Sequence, residues 1–311
     1  MELPLQIREL DPRTAPDDDL LTIHRIEEAC SHERPFRSPE LSLAYYRVWA
    51  EGNRRWWLAG DDGAAALITS PPSFNYAQVL VRPGARCRGI GTALLAEVVA
   101  SARAQGIASF FAHHSDEAGA AFARRAGAVD DQRDVHSEVR LRDVELPEPR
   151  LPEGWQLVSW IGPAPDELVE SYAHARAAID DAPAPGGMTM EPIDVAWVRR
   201  MEATAASRGR ESRVTVAVDA TGVVGSFTDV RLSPPPWAVA TTDDTATIAE
   251  ARGLGLAYAV KLESLRRLRA ERPDVEVVRT VNAEHNTAMR TVNTKAGFVP
   301  VATLTTSVLT L

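Results

Sequence analysis

Residues Thr247–Lys261 read TIAEARGLGLAYAVK. A short apolar strand pattern, TATIA, passes at once into Arg252-Gly253-Leu254-Gly255-Leu256-Ala257, and a helical pattern follows with no spacer. A chain written this way turns tightly from strand to helix. It presents bare backbone N–H groups and a helix N-terminus to an anion. A second copy stands upstream at Val81–Leu95, VRPGARCRGIGTALL. Aligned, the two give Arg86-x-x-Gly89-x-Gly91 and Arg252-x-x-Gly255-x-Ala257. Small residues suit a backbone that approaches a phosphate closely, and the arginine adds a charge-assisted contact. One such turn is weak evidence, because a plain strand-to-helix turn looks the same. Its recurrence strengthens it. Neither copy is a P-loop, since no Gly-Lys-Ser/Thr follows. Leu94 and Tyr258 stand where a dinucleotide fingerprint needs a third small residue.

The elements around each turn repeat in one order, β–α–α–β–β–β–α–β–α–β. In the first half, LQIREL starts as a strand and Asp11–Arg34 carries a helical pattern. Ser38-Pro39 opens a second helix as N-cap and N1. Three strand-like runs follow, the first two joined at Asp61-Asp62-Gly63. A helix from Ile90 stops at Gly106. ASFFAHHS, EAGAAFARRAG and VHSEVRLR complete the half as strand, helix and strand. Residues 143–155, DVELPEPRLPEGW, hold three prolines and four acids and read as a linker. The expected domains are residues 1–143 and 155–311, with 144–154 between them. The second half repeats the order and ends on FVPVATLTTSVLTL, expected as a hairpin. A period near half the chain means duplicated domains and not a solenoid.

Composition narrows the function classes. With 311 residues, 45% hydrophobic and 25% charged, the chain can bury two ordinary cores. Net charge −9 and no basic tract weigh against a nucleic acid partner. No apolar run reaches membrane-spanning length, and MELPLQIREL lacks a secretory pattern, so a cytoplasmic protein is expected. Cys30 and Cys87 are far apart and in unlike contexts, which supports neither a disulfide nor a zinc site. His113 and His114 are adjacent on a strand and cannot ligate one metal from one face. They are expected to be structural or solvent-facing, and no metal is expected. His285, at a helix start, is expected to be neutral.

Val81-x-Pro83-x-x-Arg86-x-x-Gly89-x-Gly91 resembles the acyl-CoA pyrophosphate loop of the GNAT acetyltransferase superfamily. The second half resembles the tandem-GNAT branch of actinobacteria that includes mycothiol synthase. The matching residues are Asp180-Asp181-Ala182-Pro183, Gly225-x-x-Thr228, Asp244-x-x-Thr247, Arg252-Gly-Leu-Gly255-Leu-Ala257-x-x-x-Lys261, and Thr280-x-Asn282-x-x-x-Asn286-x-x-Met289-x-x-Val292-Asn293-x-x-x-Gly297-Phe298. The resemblance implies two tandem α/β domains, each a mixed, mostly antiparallel splayed sheet flanked by helices. It implies acetyl-CoA in the splay, with its pantetheine along the fourth strand. Its cradle in the second half would be Thr247, Ile248, Arg252, Gly253, Leu254, Gly255, Leu256 and Ala257, with Asn282 and Asn286 behind. In the first half it would be Val81, Arg86, Arg88, Gly89, Ile90, Gly91 and Thr92. The implied reaction is N-acetyl transfer to a small primary amine by direct attack in a ternary complex, in a monomer or homodimer.

Both halves depart from the family pattern. The tyrosine that often serves as general acid is Ala123 in the first half and Asn293 in the second. An asparagine further up the same helix is Asn286 in the second half but Asp116 in the first. That aspartate would repel CoA phosphates or simply be solvated. The first half is therefore expected to be degenerate and the second catalytic. Asn293 can hydrogen-bond a sulfur but is no proton source. Asp244 fits the family position and ranks first as base, with Asp243 as the alternative if Asp244 is structural. As strand neighbours the two are expected to face opposite sides. Asp229 is a further candidate on the acceptor side. Each of these carboxylates reads equally well as a solvated group at a strand end. Asp180 and Asp181 read either as a rim for the acceptor amine or as a helix stop and turn. Trp237 reads as a cleft wall or as interface cover. Two rivals stand: a non-catalytic CoA-binding regulatory protein, and catalysis in the first half. The missing acid does not decide between them, because a thiolate of pKa about 8.5 can leave unprotonated.

Overall fold

The computed structural model describes residues 6–31, 36–48, 53–70, 74–181, 191–233 and 239–311. The chain forms two compact units. The first holds residues up to Gln132 together with Leu304–Leu311, and the second begins at Arg133 and runs to Thr303. No helix among the described residues is long and apolar enough to cross a membrane.

The first half contributes β1 (Ile7–Leu10), α1 (Asp17–Cys30), α2 (Pro39–Val48), β2 (Asn53–Ala59), β3 (Gly63–Ser70), β4 (Phe74–Val81), α3 (Ile90–Ala104), β5 (Ser109–His114), α4 (Glu117–Ala126) and β6 (Val129–Arg140). The second contributes β7 (Trp155–Ile161), α5 (Val169–Ala177), α6 (Val195–Ser207), β8 (Glu211–Asp219), β9 (Val224–Leu232), β10 (Val239–Thr247), α7 (Leu256–Glu271), β11 (Val277–Ala283), α8 (Thr287–Lys295) and β12 (Val299–Thr310). The order is the repeat read from the sequence. Local chemistry accounts for the helix bounds. Ser38 Oγ accepts from Leu41 N at 3.2 Å and starts α2. Ile90, Leu94, Val98 and Ala102 form the buried stripe of α3, which stops before Gly106 at φ +70°.

In the first unit the strands lie in the order β1-β2-β3-β4-β5-β12. All neighbours are antiparallel except β4 and β5, which share one parallel pair, Tyr76 with Phe111. In the second unit the order is β7-β8-β9-β10-β11-β6. Here only β10 and β11 are parallel, paired over Val239–Thr241. Strand β10 continues to Thr247 beyond that pairing. Each sheet thus opens between its fourth and fifth strands, and the glycine turn leaves the open end of the fourth.

Each sheet is completed by the closing strand of the other half. β6 pairs with β11 from Asp134 to Arg140, and β12 pairs with β5 from Thr305 to Thr310. The expected terminal hairpin is therefore one continuous strand. Residues 299–310 contain no glycine or Asn/Asp pair that could turn, and Pro300 sits near the strand start, where a missing N–H is tolerated. The proline-rich stretch expected as a linker is packed: Leu146 is buried in the second core, and its carbonyl accepts from Arg266 Nη1 at 2.9 Å.

Close packing behind the second turn is set by Gly225 on β9. A Cβ there would lie 2.3 Å from Trp155 Cη2 and 3.1 Å from Ala251 Cβ. Gly225→Ala is expected to destabilise the second unit by about 1–3 kcal/mol through overpacking, read as a lower urea midpoint at unchanged slope.

Candidate active site

The two glycine turns share one backbone design. After the fourth strand the chain makes a single 3-10 turn, Pro83–Ala85 or Ala249–Ala251. The arginine then reaches back to the last strand carbonyl: Arg86 Nε to Val81 O at 3.4 Å, Arg252 Nε to Thr247 O at 3.3 Å. Gly89 (φ +82°) and Gly255 (φ +79°) cap α3 and α7 in left-handed conformation. Nothing lies within 4 Å of a Cβ built on either. Glycine is thus required first by the backbone angle, and the space before it stays open. Gly253 has φ +81°, and Cys87 occupies its place in the first half at φ +62°, a strain of about 1–3 kcal/mol. Ile90 and Leu256 are buried anchors at the first helical position, whereas Leu254 and Thr92 are exposed. Arg88 is also exposed and pairs with Asp62 at 3.5 Å. Ile248 is buried, and Thr247 Oγ1 bonds Ser226 Oγ at 2.9 Å.

A cavity of about 550 Å³ opens before the first turn, lined by Val81, Arg86, Gly89, Gly91, Thr92 and the two histidines, among others. Cys30 and Cys87, remote in sequence, both line it as free thiols. Burial pushes the Cys30 thiol up. Asp116 is exposed but is not merely solvated. It caps α4, accepting from Gly119 N at 2.7 Å, and pairs with Arg86 at 2.8 Å. The Gly119 N–H and then Arg86 hold its carboxyl below the usual range. In the second half Asn286 makes the same cap, accepting from Met289 N at 3.1 Å, without a charge.

The second unit holds a cluster of charges beside its turn. Strand β10 has a bulge between Thr242 and Asp244. The alternation expected of strand neighbours fails there, and both Asp243 and Asp244 join one network. Asp243 pairs with Arg231 Nη1 at 2.6 Å, and Asp244 accepts from Arg176 Nη2. Asp229, 2% exposed, links the arginines: Arg176 Nη1 at 3.4 Å, Arg231 Nη2 at 3.2 Å, and Ser212 Oγ at 2.8 Å. Arg176 is also bonded to Tyr172 Oη at 2.9 Å and faces the Tyr172, Trp197 and Phe227 rings. Burial pushes the Asp243 carboxyl up to about 6. Arg231 opposes this, while Asp229 and Asp244 add to it. A cavity of about 540 Å³ lies alongside, walled by Gly162, Asp166, Arg199, Glu202 and Ser212. A small void of about 20 Å³, room for one water, adjoins Arg176, Asp229 and Arg231.

The model of the acetyltransferase (GNAT) family matches residues 21–128. A mycothiol acetyltransferase of Nocardia farcinica is 32% identical over 268 residues, 85% of this chain and 85% of that protein. The chain belongs to the GNAT acetyltransferase family. A solved tandem GNAT protein from the clavulanic acid biosynthesis pathway matches with TM-score 0.79 at 25% identity, over 98% of each chain. A GCN5-related N-acetyltransferase from Sphaerobacter thermophilus shares the fold, with TM-score 0.74 at 17% identity over 99% and 97% of the two chains. The protein is thus a tandem-GNAT acyltransferase with the mixed α/β architecture expected.

Within this acetyltransferase, several expected residues take other work. Asn293 is buried, and its Nδ2 is donated to Asn282 Oδ1 at 2.5 Å. Its Oδ1 has no partner among the described residues. Lys261 is buried with Nζ 5.0 Å from the Phe298 ring, and burial lowers it to about 7. Asp180 and Asp181 end a 3-10 turn, Ala178–Asp181. Their side chains, and Trp237, lie outside the described residues. Among the described residues no cluster could hold a metal ion. Sequence reading missed Arg176 and Arg231. The only signal for the first was Tyr172-x-x-x-Arg176 on an otherwise apolar helix face.

Arg176→Ala removes the partner of two carboxylates at once. It is expected to cost about 3–5 kcal/mol in guanidinium chloride unfolding, more than an exposed pair such as Arg199–Asp166 would.

Proposed function

We propose that the protein is an acetyl-CoA-dependent N-acetyltransferase that acts on the primary amine of a small molecule, with the chemistry in the second half. The observation that carries this is Asp243. It stands at a bulge of the strand that feeds the second glycine turn, its carboxyl is poised near neutrality, and it belongs to a network with Asp229, Asp244, Arg176 and Arg231. Such a carboxylate offers a cationic amine a base.

The turn fits an acyl-CoA pyrophosphate, since its left-handed glycines leave open space before a helix N-terminus. When bound, acetyl-CoA supplies the thioester. Arg252, Gly253, Leu254, Gly255, Leu256 and Ala257 would hold its phosphates. Asp243 is the catalytic residue: it takes one proton from the ammonium, the amine nitrogen would then bond to the acetyl carbon as the C–S bond breaks, and the second proton of that nitrogen would pass to solvent. Arg231 orients Asp243. Asp229 is too buried to meet a substrate, so with Asp244 and Arg176 it positions the bulge. The thiolate leaves unprotonated, because the Asn293 amide is no proton source and is committed to Asn282. Direct attack is supported by the second half containing no cysteine to carry an acyl group. Asp180 and Asp181 remain proposed as an acceptor rim. The open cavity before the first turn supports a second reading, in which the first half also takes a CoA, with Arg86 first released from Asp116.

Thiol release from acetyl-CoA with a panel of amines tests the assignment. Gly255→Asp is expected to abolish release and Gly89→Asp to leave most of it; the reverse pattern would sink the assignment to the second half. Asp243→Asn is expected to lower kcat by about 10²–10⁴-fold, measured at saturating amine. The base works deprotonated, so in the wild type kcat/KM should rise with pH through about 6 and then level off. That limb should vanish in the variant.

A further inference from the structure

In the first unit the elements that answer to α5, α6, β8 and β10 are α1, α2, β2 and β4. They enclose a different set of charges. Glu27 of α1 accepts from Arg37 and from Tyr46 Oη. Arg37 also donates to Ser42 Oγ at 2.9 Å. Beside them stands Arg54 of β2, 8% exposed, with Cζ 5.2 Å from the Tyr45 ring and 4.9 Å from the Trp56 ring. Arg54 makes no hydrogen bond or ion pair among the described residues. Its Nε and Nη1 are shut off from solvent without an acceptor, as is Trp56 Nε1. His24 adds no charge near neutral pH, because burial lowers its pKa. Among the described residues this cluster sets two largely buried guanidiniums against one carboxylate.

A buried cation without a partner is strongly unfavourable, and native structures rarely keep one. We infer that Arg54 anchors a binding site for a small monocarboxylate in the first half of the chain. One negative charge neutralises the cluster, whereas a phosphate dianion would overshoot it. The guanidinium fork matches a carboxylate, the Tyr45 and Trp56 rings suit a flat apolar body, and Trp56 Nε1 offers another donor. Tyr76 of β4 connects the cluster to the cavity before the first turn. Its ring lies 5.3 Å from that of His113, which lines that cavity, and its phenol feels Glu27 and Arg54. The second unit's cluster is built on three carboxylates, Asp229, Asp243 and Asp244, so the halves are not two copies of one acceptor site.

The test uses the full chain, titrated with acetate, benzoate and phosphate at matched ionic strength. Tryptophan fluorescence and the thermal midpoint are read. Acetate or benzoate is expected to give a saturable fluorescence change and a raised midpoint. Arg54→Met should abolish both responses and raise the midpoint of the ligand-free protein. Arg54→Lys, which keeps the charge but loses the fork, should weaken binding by about tenfold. Equal responses in wild type and Arg54→Met, or a response to phosphate alone, would overturn the proposal. So would a lowered ligand-free midpoint in Arg54→Met, which would mean that the protein itself supplies the missing anion.

Discussion

Asp229 and Asp244 stand opposite each other on adjacent strands, and two carboxylates so placed repel. Arg176 resolves this by reaching both from α5, 53 and 68 residues away in sequence. The guanidinium is buried under three aromatic rings and also held by Tyr172, so it cannot swing out to solvent without unpacking the core. A buried network of this kind contributes little net stability compared with apolar packing. What it supplies is geometry. It ties α5 to β9 and β10 at the bulge, where Asp243 is largely buried and pairs with Arg231. The raised affinity of Asp243 for a proton follows from that placement.

The exchange of closing strands has a similar logic. A sheet opened between its fourth and fifth strands needs its fifth strand held from the far side. In each unit that support comes from the other half's last strand, through an antiparallel ladder of six or seven residues. Leu309 and Leu311 pack against the first core, while Val139 and Leu141 belong to the second. Neither half can complete its sheet from its own sequence.

These facts explain what could be read in advance. The glycine turns were legible because left-handed backbone at Gly89, Gly253 and Gly255 leaves its mark on residue choice. Cys87 shows that the same angle can be adopted without glycine. Element order was legible from periodicity and caps such as Ser38 and Gly106. Strand partners were not: VHSEVRLR and TLTTSVLTL announce strands, but either would suit either sheet. The bulge was hidden as well, because Asp243-Asp244 looks like ordinary alternation until β9 sets the register. Arg176 and Arg231 were invisible as a pair, since charge pairing across distant elements carries no local pattern.

The halves diverged at matching positions by single changes of charge. At the cap before the last helix, asparagine leaves Arg252 without a carboxylate at that position, while aspartate ties up Arg86. An anion at the first turn must displace an internal carboxylate already within 2.8 Å of the arginine, and then meet that carboxylate's charge. The cap hydrogen bond is nearly the same in both halves, so helix formation does not select between Asn and Asp here. What differs between the halves at this position is charge: Arg86 is paired with Asp116 beside an intact glycine turn and cavity.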